Sequence, residues 1–334
     1  MSSPSKKSKP SFQIDDLILH PNVIYKLKEA GLLTYKSILH LSLTELIKFV
    51  KLTPLEAKTT LDAVFESLVK KESLTAHDLL KEEINARQQL RVITQKDSCD
   101  LFSGIYTGTI TEISGESGCG KTQLCLYLSI LAQLPLSMGG LNSKVVYIHS
   151  EGEFPIKRFL QISRSFTEEN PNLQALNLTN NLILRKVHNL NAAMHILRNG
   201  IPTLMSKLRS KLIVIDSVAS LLRSDLESIN ERTTKIQEIG AEIWKLANVF
   251  GLAVICVNQV SGQFKKNETS QASYITDVPS LGLLWSNILT TRMKISKKVS
   301  QTGPATRTLE CVYSSYIPNI SLDFFISEKG ISFV

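Results

Sequence analysis

The chain has 334 residues, of which 43% are hydrophobic and 20% charged, a globular composition with room for one large domain and a small one. Its 38 Lys and Arg residues outnumber its 30 Asp and Glu residues, and the resulting net charge of +8 is a mild bias towards polyanionic partners that on its own more often reflects solubility. We expect neither a membrane protein nor a secreted or zinc-binding one, because the sequence shows no apolar span of roughly 20 residues, no signal segment and no C-x-x-C pair among its five cysteines.

Three segments precede the main domain. Residues 1–11 are polar and basic and predict a disordered tail. In residues 12–70, apolar side chains recur at helical spacing, and Thr53-Pro54-Leu55-Glu56 has the capping-box pattern of a helix start. Several short helices with tight turns are typical of a helix-hairpin-helix domain, and the sequence leaves open whether it binds DNA backbone or serves only for docking. Residues 71–100 are highly charged and predict a linker with an exposed helix.

Strand-like and helical patterns alternate in residues 101–334. Residues 110–113 predict a strand, and short apolar runs typical of buried strands cover residues 145–148, 212–215 and 252–257. Helical patterns cover residues 122–131 and 236–250. Strands that alternate with helices indicate an α/β domain with a mostly parallel sheet.

A glycine-rich loop between the first of these strands and the helix after it carries the strongest functional signal. Its eight residues are Gly115, Glu116, Ser117, Gly118, Cys119, Gly120, Lys121 and Thr122. They match the pattern G-x-x-x-x-G-K-[ST], in which glycines let the backbone amides curl around phosphates at a helix N-terminus. Lys121 is predicted to contact the β- and γ-phosphates of ATP, and the hydroxyl of Thr122 to hold Mg²⁺.

Polar residues at the ends of three other strands are candidates for the same site. Asp216 is predicted to be a second Mg²⁺ ligand that acts through water, although a strand-end cap has the same pattern. Glu151 is a candidate for orienting the attacking water, with Glu153 as a competitor and a solvated loop acid as the alternative. Gln259 is a candidate sensor of the γ-phosphate or a plain turn residue.

Basic residues beyond two of these strands are candidates for DNA contact. The stretch 260–278, which contains Lys265 and Lys266, is long for a structureless loop in a compact domain. Together with Arg223 and Arg232, it is predicted to form a basic lining for a DNA strand. Plain solvated charge is the alternative.

The motifs resemble those of the eukaryotic recombinase family, relatives of bacterial RecA, over nearly the whole chain after the tail. They are Gly108-Thr109-Ile110-Thr111-Glu112-Ile113, the phosphate loop with Gln123-Leu124, Tyr147-Ile148-x-x-Glu151-Gly152, Ile215-Asp216-Ser217-Val218-Ala219 and Val257-Asn258-Gln259-Val260. Within the family, residues 136–158 and 314–318 are most similar to the non-filament paralogs. The resemblance implies a RecA-like P-loop ATPase core in residues 101–334, preceded by a small all-α helix-hairpin-helix domain.

The resemblance also implies roles for single residues. Glu151 matches the family's water-activating glutamate, and Arg158 matches the arginine that packs over adenine, a suitable use of a planar cation. Gln259 matches the nucleotide-sensing glutamine. Arg223 lies at the position of the first DNA loop and residues 261–279 at that of the second.

The family's activities imply a DNA repair protein of homologous recombination that uses ATP and Mg²⁺. Its expected partners are single-stranded and branched DNA, another RecA-like paralog in a heteromeric complex, and the main recombinase filament. We expect it in the nucleus, with the cytoplasm as a second location, and we expect weak, DNA-dependent ATP hydrolysis.

Departures from the filament-forming members favour this paralog interpretation. The family's self-assembly motif is a Phe followed three residues later by Ala, and the corresponding stretch is Ser73-Leu74-Thr75-Ala76, which lacks the Phe. Leu222 replaces the aromatic residue that precedes the arginine of the first DNA loop. Three alternatives stay open: a strand-exchange recombinase that forms its own filaments, a scaffold with structural ATP, and an ATPase without a DNA role.

Overall fold

A computed structural model describes residues 13–39, 41–68, 75–91, 105–173, 176–222, 229–266, 273–279, 281–298 and 305–334. The chain divides into two compact units, Met1–Glu82 and Glu83–Val334. No helix in the described ranges is both long enough and apolar enough to cross a bilayer.

The first unit is built from short helices. They are a 3-10 turn at Ile14–Asp16, α1 (Pro21–Glu29), α2 (Tyr35–Leu39), α3 (Leu43–Val50), α4 (Pro54–Leu68) and the start of α5 (Ala76–Ala86). Leu27, Ile38 and Leu46 are fully buried in its core. The predicted capping box of α4 is confirmed, because the backbone amide of Thr53 donates to Glu56 Oε2 at 2.8 Å and the amide of Glu56 donates to Thr53 Oγ1 at 3.2 Å.

The second unit alternates strands and helices, as the sequence predicts. Its strands are β1 (Ile110–Gly115), β2 (Lys144–His149), β3 (Leu182–Lys186), β4 (Ser210–Asp216), β5 (Ala253–Val257), β6 (Val260–Lys266), β7 (Ser273–Pro279), β8 (Thr291–Lys298), β9 (Thr306–Ser314), β10 (Ser321–Ser327) and β11 (Gly330–Phe333). Its helices after α5 are α6 (Lys121–Leu131), α7 (Ile156–Glu169), α8 (Leu190–His195), α9 (Ile201–Lys207), α10 (Val218–Leu221), α11 (Ile229–Phe250) and α12 (Gly282–Ser286). Single turns of other helix types lie at Leu136–Met138, Pro171–Leu173 and Ile196–Gly200.

Nine of the described strands form one sheet in the order β11-β10-β9-β8-β1-β5-β4-β2-β3. The six strands from β8 to β3 pair in parallel, and β8 to β11 form an antiparallel meander at the other edge. The predicted α/β architecture with a mostly parallel sheet is therefore confirmed.

Helices cover both faces of the sheet, so its central strands are buried throughout. In β2, Val145 and Tyr147 belong to one hydrophobic core, whereas Val146 and Ile148 belong to the core on the opposite face. The parallel strands β1, β2, β4 and β5 end at the same edge of the sheet. Ligand sites of open α/β sheets form at this edge, beyond the carboxyl ends of the strands.

The stretch 260–278 differs from the predicted loop. The backbones of β6 and β7 pair antiparallel from Val260 opposite Pro279 to Lys266 opposite Ser273. The sequence of these strands is polar and lacks an apolar alternation, so the pattern of buried strands does not reveal their backbone pairing. The prediction of a structureless loop is wrong for the described part of this segment.

Candidate nucleotide-binding site

A cavity of about 590 Å³ opens at the carboxyl edge of β1, β4 and β5, a volume within the usual range of small-molecule sites. Most of the predicted site residues line it: Ser117, Gly118, Gly120, Lys121, Thr122, Glu151, Arg158, Asp216 and Gln259. Of the other three residues of the phosphate loop, Gly115 is the last residue of β1, and Glu116 and Cys119 lie in the loop that follows. Burial raises the pKa of the Cys119 thiol. The fold therefore brings residues from four separate strand ends into one pocket.

The phosphate loop leads from β1 into the N-terminus of α6. Gly118 and Gly120 have φ angles of +73° and +111°, which side-chain-bearing residues rarely adopt. A Cβ atom on Gly120 would also lie 2.8 Å from Ile326 Cδ1. Lys121 is buried and donates from Nζ to the carbonyl oxygens of Gly115 and Glu116, each at 2.8 Å.

Two hydroxyl groups meet on one oxygen of the Asp216 carboxylate. Thr122 Oγ1 donates to Asp216 Oδ2 at 2.8 Å, and Tyr147 Oη donates to the same oxygen at 2.7 Å. Desolvation raises the pKa of Asp216 above its ordinary value, while the hydrogen bonds from Tyr147 and Thr122 work in the opposite direction. Burial also raises the pKa of Tyr147 well above its usual range, so this hydroxyl stays a donor.

A second carboxylate lies between two polar partners at the same edge. Ser217 Oγ donates to Glu151 Oε1 at 3.0 Å, and Gln259 Nε2 donates to the same oxygen at 3.1 Å. The competing residue Glu153 instead forms an ion pair with Lys186, whose hydrogen bond lowers the pKa of the Glu153 carboxyl. Of the two acids, only Glu151 lines the cavity within the described part of the chain.

Two arginines flank the cavity from different parts of the chain. Arg158 on α7 donates from Nε to Gln123 Oε1 at 2.8 Å and from Nη1 to the carbonyl oxygen of Glu328 at 2.9 Å. Arg307 on β9 donates from Nε to the carbonyl oxygen of Cys119, in the phosphate loop, at 3.1 Å. Both guanidinium groups are thereby held against the walls of the pocket.

The donor set fits a magnesium nucleotide. A hydroxyl and a carboxylate are hard oxygen ligands, which Mg²⁺ prefers together with substrate phosphates. Glycines in left-handed conformations at the N-terminus of an 11-residue helix present backbone amides to an anion. A buried lysine beside them supplies the positive charge that a triphosphate requires.

The structure describes the backbone of three of the four residues predicted to bind DNA and the side chain of one of them. Arg232 lies exposed on α11, and Lys265 and Lys266 belong to the backbone of β6. Arg223 lies outside the described residues. Their role in DNA binding stays a prediction.

Sequence reasoning missed Tyr147, Ser217 and Arg307 as residues of the site. Successive side chains of a strand point to opposite faces of the sheet, and this rule places Tyr147 on the same face as α6. The rule could have identified Tyr147 from the sequence. Ser217 directly follows Asp216, but a serine after a strand is common. Arg307 is distant in sequence and lies on an antiparallel strand that the apolar pattern did not predict.

Comparisons with known proteins agree with this geometry. The sequence profile of the family described as Rad51 matches residues 86–334. The DNA repair protein XRCC3 homolog of Arabidopsis thaliana is 34% identical over 272 residues, which cover 70% of this chain and 89% of that protein. The DNA repair protein XRCC3 of Bos taurus is 28% identical over 331 residues, with 95% and 97% covered. The DNA repair protein rhp57 of Schizosaccharomyces pombe is 30% identical over 266 residues, with 69% and 75% covered.

The predicted family resemblance is therefore confirmed, and XRCC3 proteins and fungal rhp57 are among the similar relatives. The match to the family covers all but the first three residues of the α/β unit that carries the cavity. The chain belongs to the Rad51 family.

Proposed function

We propose that this chain is an ATP-binding DNA repair protein of homologous recombination, a Rad51 paralog that works in a heteromeric complex with another RecA-like paralog. One observation carries the ATP-binding part of the proposal: Thr122 and Tyr147 converge on Asp216 next to the phosphate loop. The repair role is supported by relatives that are named as DNA repair proteins.

The phosphate loop binds the triphosphate in this proposal. Its backbone amides and the N-terminus of α6 face the phosphate oxygens, and Lys121 exchanges its loop carbonyls for the β- and γ-phosphates. Mg²⁺, when bound, supplies positive charge beside the phosphate oxygens. Thr122 and Asp216 would hold the ion. Arg158 packs over the adenine base at the mouth of the cavity.

Glu151 orients the attacking water, and Gln259 connects this carboxylate to the start of β6. Glu151 is exposed in the isolated chain, so a neighbouring subunit completes the water-excluding site. We therefore expect slow hydrolysis from the isolated protein. ATP then acts mainly by stabilising the subunit interface and the DNA-binding state.

The proposed partners follow from this role. They are single-stranded and branched DNA, a second paralog and the main recombinase filament, and the proposed location is the nucleus, with the cytoplasm as a second site. Affinity purification of the tagged full chain, followed by mass spectrometry, tests the complex. We expect a stoichiometric RecA-like paralog. Recovery of the chain alone, together with long regular filaments on single-stranded DNA in electron micrographs, would instead favour a self-assembling recombinase.

Two variants distinguish a repair role that needs ATP hydrolysis from one in which bound ATP is only structural. We expect Lys121→Ala to abolish repair of DNA damage in cells and Glu151→Gln to lower it. If Glu151→Gln leaves repair intact, bound ATP is a structural part of a scaffold. Salt-dependent binding of single-stranded DNA by the purified complex tests the DNA role, because phosphate contacts release counterions.

A further inference from the structure

The carboxylate of Glu112 is fully buried and does not line the nucleotide cavity. Glu112 is in β1, directly opposite Arg292 of β8, and its side chain is 0% exposed. Glu112 Oε2 accepts from Arg292 Nε. Glu112 Oε1 accepts from Asn258 Nδ2 at 2.7 Å and from Trp285 Nε1 at 2.8 Å. Both oxygens of a charge in the protein interior are therefore satisfied, as burial requires.

Glu112 determines the orientation of the Asn258 amide. A carboxylate only accepts hydrogen bonds, so the NH₂ group of Asn258 must face Glu112 and its carbonyl oxygen must face the other way. Asn258 Oδ1 indeed accepts from the backbone amide of Gln259 at 2.8 Å. Gln259 in turn donates to Glu151 at the cavity. The position of Gln259 thus depends on Glu112, a buried carboxylate that does not itself line the cavity.

The partners of Glu112 also flank the β6–β7 hairpin on both sides. Asn258 and Gln259 directly precede β6, which begins at Val260. Trp285 lies on α12, shortly after β7 ends at Pro279. The strands pair from Val260 opposite Pro279 onwards, so these two residues form the base of the hairpin. One carboxylate oxygen therefore accepts a hydrogen bond from each side of that base.

We propose that Glu112 is a positioning residue that clamps the base of the β6–β7 hairpin and couples it to the nucleotide cavity. A ligand that moves Gln259 acts on the start of β6, while the hydrogen bond from Trp285 to Glu112 holds the other end of the hairpin against β1. The coupling rests on the proposed function, in which the cavity binds ATP and the hairpin segment contacts DNA.

Hydrogen exchange of the full-length protein tests the clamp itself. In Glu112→Gln, an amide with one acceptor oxygen replaces a carboxylate with two, so at least one of the three donors loses its partner. Trp285→Phe removes one donor and keeps the ion pair, and it preserves the test if Glu112→Gln does not fold. Thr111→Val, a buried change on the same strand, is the control. We expect amide exchange at both ends of the hairpin to rise about tenfold in the first two variants only.

Coupling is measured with AMP-PNP, Mg²⁺ and a fluorescent oligothymidylate. The coupling factor is the ratio of the oligothymidylate affinities measured with and without the nucleotide. We expect this factor to be well above 1 in the wild type and in Thr111→Val. In Glu112→Gln and Trp285→Phe we expect it to fall towards 1. Gln259 lines the cavity, so the nucleotide affinity of each variant is measured as well and the coupling factor is compared at saturating AMP-PNP.

Exchange that is unchanged in both variants, or that rises evenly over β1, β5 and β8, overturns the clamp. An unchanged coupling factor overturns the coupling. A wild type that binds neither nucleotide nor DNA refutes the proposed function and, with it, the coupling. The exchange experiment still decides whether Glu112 holds the base of the hairpin.

Discussion

The ammonium group of Lys121 lies against two carbonyl oxygens of its own loop, in a side chain that is only 9% exposed. A charge-assisted hydrogen bond contributes about 1.5–3 kcal/mol, so we expect Lys121→Ala to weaken ATP binding about 10- to 100-fold. Titration with a fluorescent ATP analogue measures this. Lys245→Ala removes an exposed lysine of α11 and is the control. Equal affinities for both variants would contradict a role of Lys121 in phosphate binding.

Asp216 combines a raised pKa with two hydroxyl donors on a single oxygen. Asparagine offers one carbonyl oxygen to the same donors and carries no charge. We therefore expect Asp216→Asn to raise the free energy of unfolding at pH 7 without magnesium by about 1 kcal/mol, while it weakens magnesium-dependent nucleotide binding. Denaturant titration measures the first effect and nucleotide titration the second.

The stability gain of Asp216→Asn has a defined pH dependence. Because the pKa of Asp216 in the folded protein lies above its ordinary value of 3.8, its contribution to wild-type stability is full at acidic pH and lost as the pH rises through the folded pKa. The advantage of the variant must therefore shrink as the pH falls below that pKa. Asp323→Asn, at an exposed position, should change stability by less than about 0.5 kcal/mol. An advantage that is the same at every pH would show that desolvation of the charge is not its cause.

Individual site residues could be predicted where they stand at the carboxyl end of a parallel strand, because ligand sites of α/β sheets form there. Asp216 ends a strand of the parallel sheet, Glu151 and Gln259 each follow one, and all three line the cavity. Tyr147 and Arg307 were not predicted. Their role depends on which side chain faces which neighbour across the sheet, and such pairing has no local signature.

At the scale of elements, the phosphate loop depends on glycine for two separable reasons. Gly118 has a φ of +73° and open space where a methyl group would lie, whereas Gly120 has a φ of +111° and Ile326 would contact its Cβ at 2.8 Å. We expect Gly118→Ala to cost about 1–2 kcal/mol of unfolding free energy from backbone strain alone. Gly120→Ala should cost about 0.5–1 kcal/mol more, because Ile326 Cδ1, the end of a side chain, must leave its rotamer to relieve the overlap. Denaturation of both variants measures the difference, and equal losses would show that Ile326 moves away freely.

The apolar runs predicted the central strands well and the edge of the sheet poorly. β2, β4 and β5 are buried on both faces, so their sequences are continuous apolar runs that match the predicted strands closely. In β9, buried Leu309 and Cys311 alternate with more exposed residues. Such a pattern resembles a loop unless the partner strand is known. The same reason explains why β6 and β7 were predicted as a loop.

At the scale of the whole molecule, the two comparisons cover different parts of the chain. The Rad51 profile matches residues 86–334, whereas the bovine relative aligns with 95% of the chain. The α/β unit, Glu83–Val334, contains every described residue that lines the nucleotide cavity. The proposed nucleotide binding therefore belongs to this unit. For the helical unit, DNA backbone binding and docking are the two alternatives that the sequence leaves open.

This division predicts that nucleotide binding survives removal of the helical unit. A fragment of residues 75–334 begins before α5, so no described helix is cut, and it keeps the pairing of Leu90 with Ile105 that anchors the start of the α/β unit. We expect its affinity for a fluorescent ATP analogue to stay within about twofold of the full chain, the margin for independent parts of a protein. Lys121→Ala in the fragment controls for binding outside the cavity. A loss greater than about tenfold, with the fragment still folded by circular dichroism, would show that the helical unit contributes to the nucleotide site.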